Sequence, residues 1–152
     1  MIRPRDAQDL PACVRLLRAV HLHSGYPYVW PADPAGWLTP EGLTGAWIAE
    51  DADGRVAGHA ALCGGEVNRL YVAPEARGRG LGGRLLRRVT NEAAAGGLRP
   101  VLAVNATDAA AIALYERRGW RLVRTERQDW GGPEPVTVRH YEAPPTGRRT
   151  AG

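Results

Sequence analysis

The sequence predicts an α/β fold: a single domain with a mixed, mostly antiparallel central sheet flanked by helices. Three observations predict it. Hydrophobic periodicity gives the element order β-α-loop-β-β-β-α-β-α-β-β. Asp51-Ala-Asp-Gly54, between two apolar runs, is a hairpin signal. At 152 residues the chain suits one domain with a full core, and it shows no internal repeat or linker.

The elements follow in order. Ile2-Arg3-Pro4 reads as a short first strand. Asp6 to about His21 reads as a helix, with Asp6 or Asp9 as cap and Leu10, Val14, Leu17 and Val20 at helical spacing. Residues 23–44 are irregular, rich in proline and aromatic side chains. Ala46–Glu50 and Arg55–Leu62 are the hairpin strands, and Glu66–Val72 is the next, stopped by Pro74. A helix over Gly80–Ala95 carries Leu81, Leu85 and Val89 on one face and ends at Gly96-Gly97. Val101–Val104 is an apolar strand, and Asp108–Arg118 a helix closed by Gly119. Trp120–Gln128 and Val136–Glu142 are strands around a Gly/Pro loop. The domain is expected to occupy residues 1–143, with a disordered tail over 144–152.

Composition excludes several classes. The net charge is +4, carried by scattered arginines with interleaved acids and no lysine. No basic block of the kind that grips nucleic acid is present. No run of eighteen apolar residues is available to cross a membrane, and MIRPRDAQDLP is too polar for a signal peptide. Two cysteines, Cys13 and Cys63, make no disulfide framework. The expectation is a soluble protein of a reducing cytoplasm, with a homodimer left open.

The most informative run is Leu70–Leu86, LYVAPEARGRGLGGRLL. A strand ends, an arginine- and glycine-rich loop follows, and an amphipathic helix begins. Gly78, Gly80, Gly82 and Gly83 carry no side chains, so their N–H groups can converge on one point beside the positive end of the helix dipole. Such a loop is built to hold phosphate or pyrophosphate. Gly78-Arg79-Gly80-Leu81-Gly82-Gly83 also spells GxGxxG, the dinucleotide fingerprint. The context argues against that reading. Pro74–Arg77 separate strand from glycines, and the next strand ends in Asn105 where the fingerprint needs an acid.

Arg77-Gly78-Arg79-Gly80-Leu81-Gly82 matches R/Q-x-x-G-x-G/A, and with Leu70-Tyr71-Val72-x-Pro74 ahead of it the stretch resembles the acetyl-CoA motif of the GNAT N-acetyltransferase superfamily. Downstream, Val101–Val104, Asn105 and Ala111-Ile-Ala-Leu-Tyr115-Glu-Arg-Arg-Gly119-Trp120 resemble that family's second signature. The resemblance implies a GNAT-like fold and acetyl transfer from acetyl-CoA to an amine, with no metal. Cofactor binding falls to Leu70, Tyr71 and Val72, whose backbone would face the acetyl oxygen and the pantetheine amides. It falls also to Arg77, Gly78, Arg79, Gly80, Leu81, Gly82 and Gly83 at the pyrophosphate, and to Asn105 on the cofactor arm.

The reaction needs a proton acceptor for the amine and a donor for the departing thiolate. Glu66 is the one acid on the 66–72 strand, and some family members place a catalytic glutamate at this distance ahead of the motif. By alternation it shares a face with Asn68, Leu70 and Val72. The alternative is a strand-start carboxylate paired with an arginine. Tyr115 is the candidate acid, since in relatives this tyrosine sits beside the sulfur; the alternative is a core aromatic. Asn105 has helix capping as its alternative. His59 and Cys63 share a strand face and invite a Cys–His nucleophile reading, against a plain pair of core side chains.

The segment from His21 to Leu38 is the least family-like. Long loops in compact domains are usually functional. His23, Tyr26, Tyr28, Trp30 and Asp33 are candidates for the acceptor site, with Trp130 on the opposite wall. The alternative is a rigid cover of packed prolines and tryptophans. The readings that follow are an N-acetyltransferase acting on a small primary amine, one acting on a protein or peptide N-terminus, or a non-catalytic acyl-CoA sensor.

Overall fold

The computed structural model describes residues 1–145. Its strands are β1 (Ile2–Pro4), β2 (Leu43–Glu50), β3 (Val56–Cys63), β4 (Glu66–Val72), β5 (Val101–Asn105), β6 (Arg121–Gln128) and β7 (Val136–Glu142). Its α-helices are α1 (Leu10–Ser24), α2 (Pro34–Trp37), α3 (Leu81–Ala95) and α4 (Ala109–Arg117). The strands make one sheet in the order β1-β2-β3-β4-β5-β7-β6. Every neighbouring pair is antiparallel except β4–β5. The expected mixed, mostly antiparallel sheet is therefore present. Residues 146–152, which include most of the expected tail, lie outside the described residues.

Local chemistry explains the boundaries. Asp6 accepts from the Gln8 N–H at 2.8 Å, and Asp9 accepts from the Asp6 N–H at 2.8 Å. This reciprocal box winds Ala7–Asp9 as a 3-10 turn, so α1 begins at Leu10 and not at Asp6. Asp9 also takes two bonds from the Arg3 guanidinium, at 2.9 and 2.8 Å, which ties β1 to the helix start. The Asp51 side chain accepts from the Asp53 and Arg55 N–H groups and shapes the β2–β3 hairpin. The proline-rich segment is less irregular than its composition suggests. Asp33 accepts from the Gly36 N–H at 3.2 Å and Pro34 takes the first position of α2, a single capped turn.

The sheet is covered on both sides of its centre. Tyr71 of β4 donates its O–H to the Cys13 carbonyl of α1 at 3.0 Å, and the His59 ring stacks on Tyr71 at 5.2 Å. The neighbouring β3 residue, Gly58, faces Leu85 of α3, where a Cβ would come within 2.8 Å of Leu85 Cδ1. Consecutive strand residues point to opposite faces, so α1 and α3 lie on opposite sides. Cys13, Leu17, Val20, Leu38, Ile48, Ala60, Leu85, Leu86 and Val89 fill the layers between. Burial pushes the Cys13 thiol up to about 11, which leaves it an inert core group.

Two irregularities shape the centre. His59 pairs with Tyr71 but Ala61 pairs with Asn68, so β4 carries an extra residue between these pairs. Arg69, at φ 50°, sits in the left-handed region at this bulge. The second irregularity lies between β4 and β5, which share a single registered pair, Glu66 with Val101. Beyond it the two parallel strands diverge toward Val72 and Asn105.

Candidate active site

The bulge corrects the alternation expected for β4. Glu66 and Asn68 share the α1 face, as the bond from Asn68 Nδ2 to Glu66 Oε1 at 3.2 Å shows. The extra residue then reverses the phase. Tyr71 takes the α1 face, and Val72 turns toward α3, where a Cβ on Gly82 would lie 3.6 Å from Val72 Cγ2. Leu70 and Val72 do not share the Glu66 face, because two successive residues of a bulge occupy one pleat.

Tyr71 has its phenol bound to α1, so only its backbone is free to face a ligand. The same holds for the neighbouring edge of β4, which is left without registered partners on β5 past Glu66. Unpaired strand N–H and C=O groups are ready to pair with an extended, amide-bearing chain.

The glycine loop lies at the open end of this cleft. Gly78 (φ 82°) and Gly80 (φ 78°) are left-handed, and a Cβ on either would meet nothing within 4 Å. Gly80 caps α3 with no side-chain acceptor, and the first helical bond runs from the Arg84 N–H to the Gly80 carbonyl at 3.0 Å. The N–H groups of Leu81, Gly82 and Gly83 thus have no partner inside the helix. Arg77 and Arg79 are exposed beside them. Open volume, orphaned donors and positive charge meet the needs of a pyrophosphate. Arg118, which the sequence reading did not single out, lays its guanidinium across Gly83 from the end of α4. Its only sequence signal is a basic residue beside the Gly119 helix stop.

Tyr115 of α4 is buried at 7% exposure and packs near Trp120 and Tyr141. Its hydroxyl makes no hydrogen bond among the described residues. Burial, reinforced by Tyr26 and Asp108, holds the phenol above its ordinary range, so it remains protonated. Asn105 spends its Oδ1 on the turn into α4, accepting from Thr107 N at 3.0 Å and Thr107 Oγ1 at 2.9 Å. Asp108 caps that helix through Ala111 N.

The acceptor candidates divide. Tyr26 lies 6.1 Å from both Trp37 and Tyr71, beneath the α1 face of β4. Tyr28 lies against Gly132, where a Cβ would collide with its ring. The aromatic segment and the β6–β7 loop therefore meet. Trp130 of that loop donates to Gln128 Oε1 at 2.8 Å, and Gln128 in turn donates to Glu126. Trp30 is taken up by packing, 5.4 Å from His21 and 5.6 Å from the Arg18 guanidinium. Asp33 is the α2 cap, and His23 is exposed at the end of α1 with Nδ1 2.9 Å from Ser24 Oγ. His59 and Cys63 do not meet. Cys63 lies 3.9 Å from Asn68 Oδ1, and both ring nitrogens of His59 are engaged elsewhere, with Arg69 O and Arg5.

The sequence profile of the acetyltransferase (GNAT) domain matches residues 43–122, from β2 into the start of β6. The chain belongs to the GNAT family. The GNAT match thus covers the splayed strands, the glycine loop and Tyr115. An IAA acetyltransferase of Azospirillum brasilense is 40% identical over 77 residues, which is 49% of this chain and 48% of that protein. A mycothiol acetyltransferase of Amycolatopsis mediterranei is 37% identical over 97 residues, 60% of this chain and 31% of that protein. The chain thus spans half or less of the curated relatives it matches. The fold resembles that of the ribosomal-protein-S18-alanine N-acetyltransferase of Escherichia coli, with a TM-score of 0.74 at 23% identity over 95% of this chain and 92% of that one. A Salmonella typhimurium structure that holds its cofactor acetyl-CoA superimposes with a TM-score of 0.72 at 23% identity, covering 93% of this chain and 91% of that one.

Among the described residues no helix is long and apolar enough to cross a membrane, and no three His, Cys, Asp or Glu side chains gather as metal ligands.

Proposed function

We propose that the chain transfers an acetyl group from acetyl-CoA to a primary amine of a small molecule, with both substrates bound together. The observation that carries this reading is the uncapped, side-chain-free start of α3 at the open end of the β4–β5 cleft. Leu81, Gly82 and Gly83 would hold the pyrophosphate through their N–H groups, with Arg77, Arg79 and Arg118 supplying positive charge. The free edge of β4 at Leu70, Tyr71 and Val72 would bind the pantetheine amides and polarise the acetyl carbonyl. The amide end of Asn105 remains available to the same arm. Bound there, acetyl-CoA supplies an acetyl thioester to the attacking amine. Tyr115, protonated and without a hydrogen-bond partner, would give its proton to the departing sulfur.

Tyr28 against Gly132 supports a small acceptor. An acceptor site between these two segments would be narrowed by this contact, whereas an extended peptide would need an open groove. Release of free thiol from acetyl-CoA, measured with a panel of primary amines, tests the reading. Turnover is expected with at least one compact amine, and an exclusive preference for peptides would replace the small acceptor with a protein N-terminus. Tight acetyl-CoA binding without any turnover would support a sensor.

A further inference from the structure

We propose that the Tyr26 hydroxyl positions the acceptor amine, accepting an N–H bond from its nitrogen beside the thioester. The inference rests on the transferase reading above and gives that site its acceptor-holding group.

Neighbours on both sides of the cleft place Tyr26. Its ring lies 6.1 Å from that of Tyr71, well past the Glu66–Val101 pair, where β4 has parted from β5. On the other side, the Asp108 N–H bonds to the Asn105 carbonyl at 2.9 Å where β5 ends, and Tyr115 follows on α4. Burial holds both the Tyr26 and the Tyr115 phenol above the ordinary range. At Tyr26 the Arg69 guanidinium opposes the effect and Asp108 adds to it. At Tyr115 both Tyr26 and Asp108 add to it. Charges act on one another in this way only over a short path through the interior. Tyr26 therefore has the free end of β4 on one side and the start of α4 on the other. The two phenols are neighbours at the open end of the cleft.

Tyr26 lines this recess. Its hydroxyl has lost most of its water, yet the residue keeps part of its surface open. A side chain so placed borders a cavity and does not simply fill the core. The ring is held, edge-on to Trp37 at 6.1 Å and against Tyr71. The hydroxyl makes no hydrogen bond among the described residues, although buried polar groups normally find a partner. Tyr71 shows the contrast, with its hydroxyl spent on the Cys13 carbonyl.

Two partnerless phenols beside one thioester serve two different atoms. Tyr115 lies within the matched residues 43–122, which hold the parts assigned to acetyl-CoA, and its proton goes to the sulfur. Tyr26 lies outside that match, in the segment before β2. Its phenol stays protonated, and its oxygen keeps lone pairs to offer. A neutral amine donates one N–H to that oxygen, which leaves the nitrogen lone pair to aim at the thioester carbonyl. No proton changes owner at Tyr26.

The test measures thiol release from acetyl-CoA with phenethylamine, spermidine and glycine, beside acetyl-CoA affinity by calorimetry and a thermal melt. Y26F keeps the ring and loses only the hydroxyl. It should raise the KM of each accepted amine on the order of 10-fold, with acetyl-CoA affinity and melting temperature as in wild type. Y115F should instead lower kcat without moving the acceptor KM. An unchanged acceptor KM in Y26F overturns the assignment and leaves the transferase reading intact. A matching loss of acetyl-CoA affinity or of melting temperature in Y26F overturns it too, because the hydroxyl would then serve the donor site or the fold. A wild type that releases no thiol with any of the three amines overturns both.

Discussion

His59 stands against the backbone of Arg69, with Nδ1 2.8 Å from the Arg69 carbonyl oxygen. On its other side Nε2 lies 2.9 Å from Arg5 Nη1, which also donates to the Leu38 carbonyl at 2.7 Å. Arg5 can only donate, so Nε2 accepts and the ring is neutral with its proton on Nδ1. That proton holds the carbonyl of the left-handed residue at the β4 bulge. The Arg69 guanidinium is held too, bonded to the Trp37 carbonyl at 3.1 Å and lying 4.1 Å over the Trp37 ring. One buried histidine thus links the Trp37–Leu38 segment to the bulge of β4.

Burial lowers the His59 ring to about 4 from its ordinary 6.5. The unfolded chain therefore binds a proton that the folded chain refuses between these values. Stability contributed by the neutral ring is present above about pH 6.5 and is lost as pH falls toward 4, amounting to on the order of 3 kcal/mol. Chemical denaturation from pH 7 to pH 4 should show this loss in wild type. In H59Q the slope over that window should flatten, although the variant is less stable at pH 7. An equal slope in both proteins would move the linkage to another group.

Gly80→Asp should abolish acetyl-CoA binding measured by calorimetry. Nothing in the protein obstructs the new side chain, since a Cβ at Gly80 meets no atom within 4 Å. The effect comes from a carboxylate placed in the anion cradle and from strain at φ 78°, on the order of 1 kcal/mol. Affinity equal to wild type would remove the loop from the cofactor site.

Tyr115→Phe should lower kcat on the order of 10²-fold or more with little change in acetyl-CoA affinity. The hydroxyl has no hydrogen-bond partner among the described residues, so its removal costs the fold little. A melting temperature within about 2 °C of wild type is expected, because an unpartnered hydroxyl contributes less than about 1 kcal/mol. A variant that keeps full kcat would leave Tyr115 as a packing residue beside Trp120.

The aromatic segment should separate into two kinds of residue. Trp37→Ala removes the surface beneath Arg69 and should lower the melting temperature by several degrees, since about 1 kcal/mol corresponds to roughly 2–4 °C at this size. It should weaken acetyl-CoA and acceptor together. Gly132→Ala pushes on Tyr28 alone and should raise the acceptor KM while leaving acetyl-CoA affinity intact. Thermal melts and both affinities on the two variants check the division, and a uniform effect would make the whole segment a structural cover.

Much was legible in the chain because it depends on near neighbours. The apolar stripe Leu81, Leu85, Val89, the glycines of the α3 loop, the Asp51 turn and Pro74 all act within one turn or one strand. They were enough to place the glycine loop at the start of α3 and the element order. Other features depend on which strands become neighbours. The bulge at Arg69 needs His59, a residue of the adjacent strand, and it overturned the period-2 reading of β4. The 3-10 turn before α1 depends on the reciprocal bonds between Asp6 and Asp9, and it competes with the helix that the periodicity suggests. Tyr26 reaches Tyr71 of β4 only because α1 and the segment after it pack on the sheet. Arg118 reaches Gly83 only because α4 packs across the first turn of α3. Periodicity and turn chemistry are encoded locally, whereas strand neighbours and helix crossings follow from burying all the apolar faces at once, and only the tertiary structure decides those.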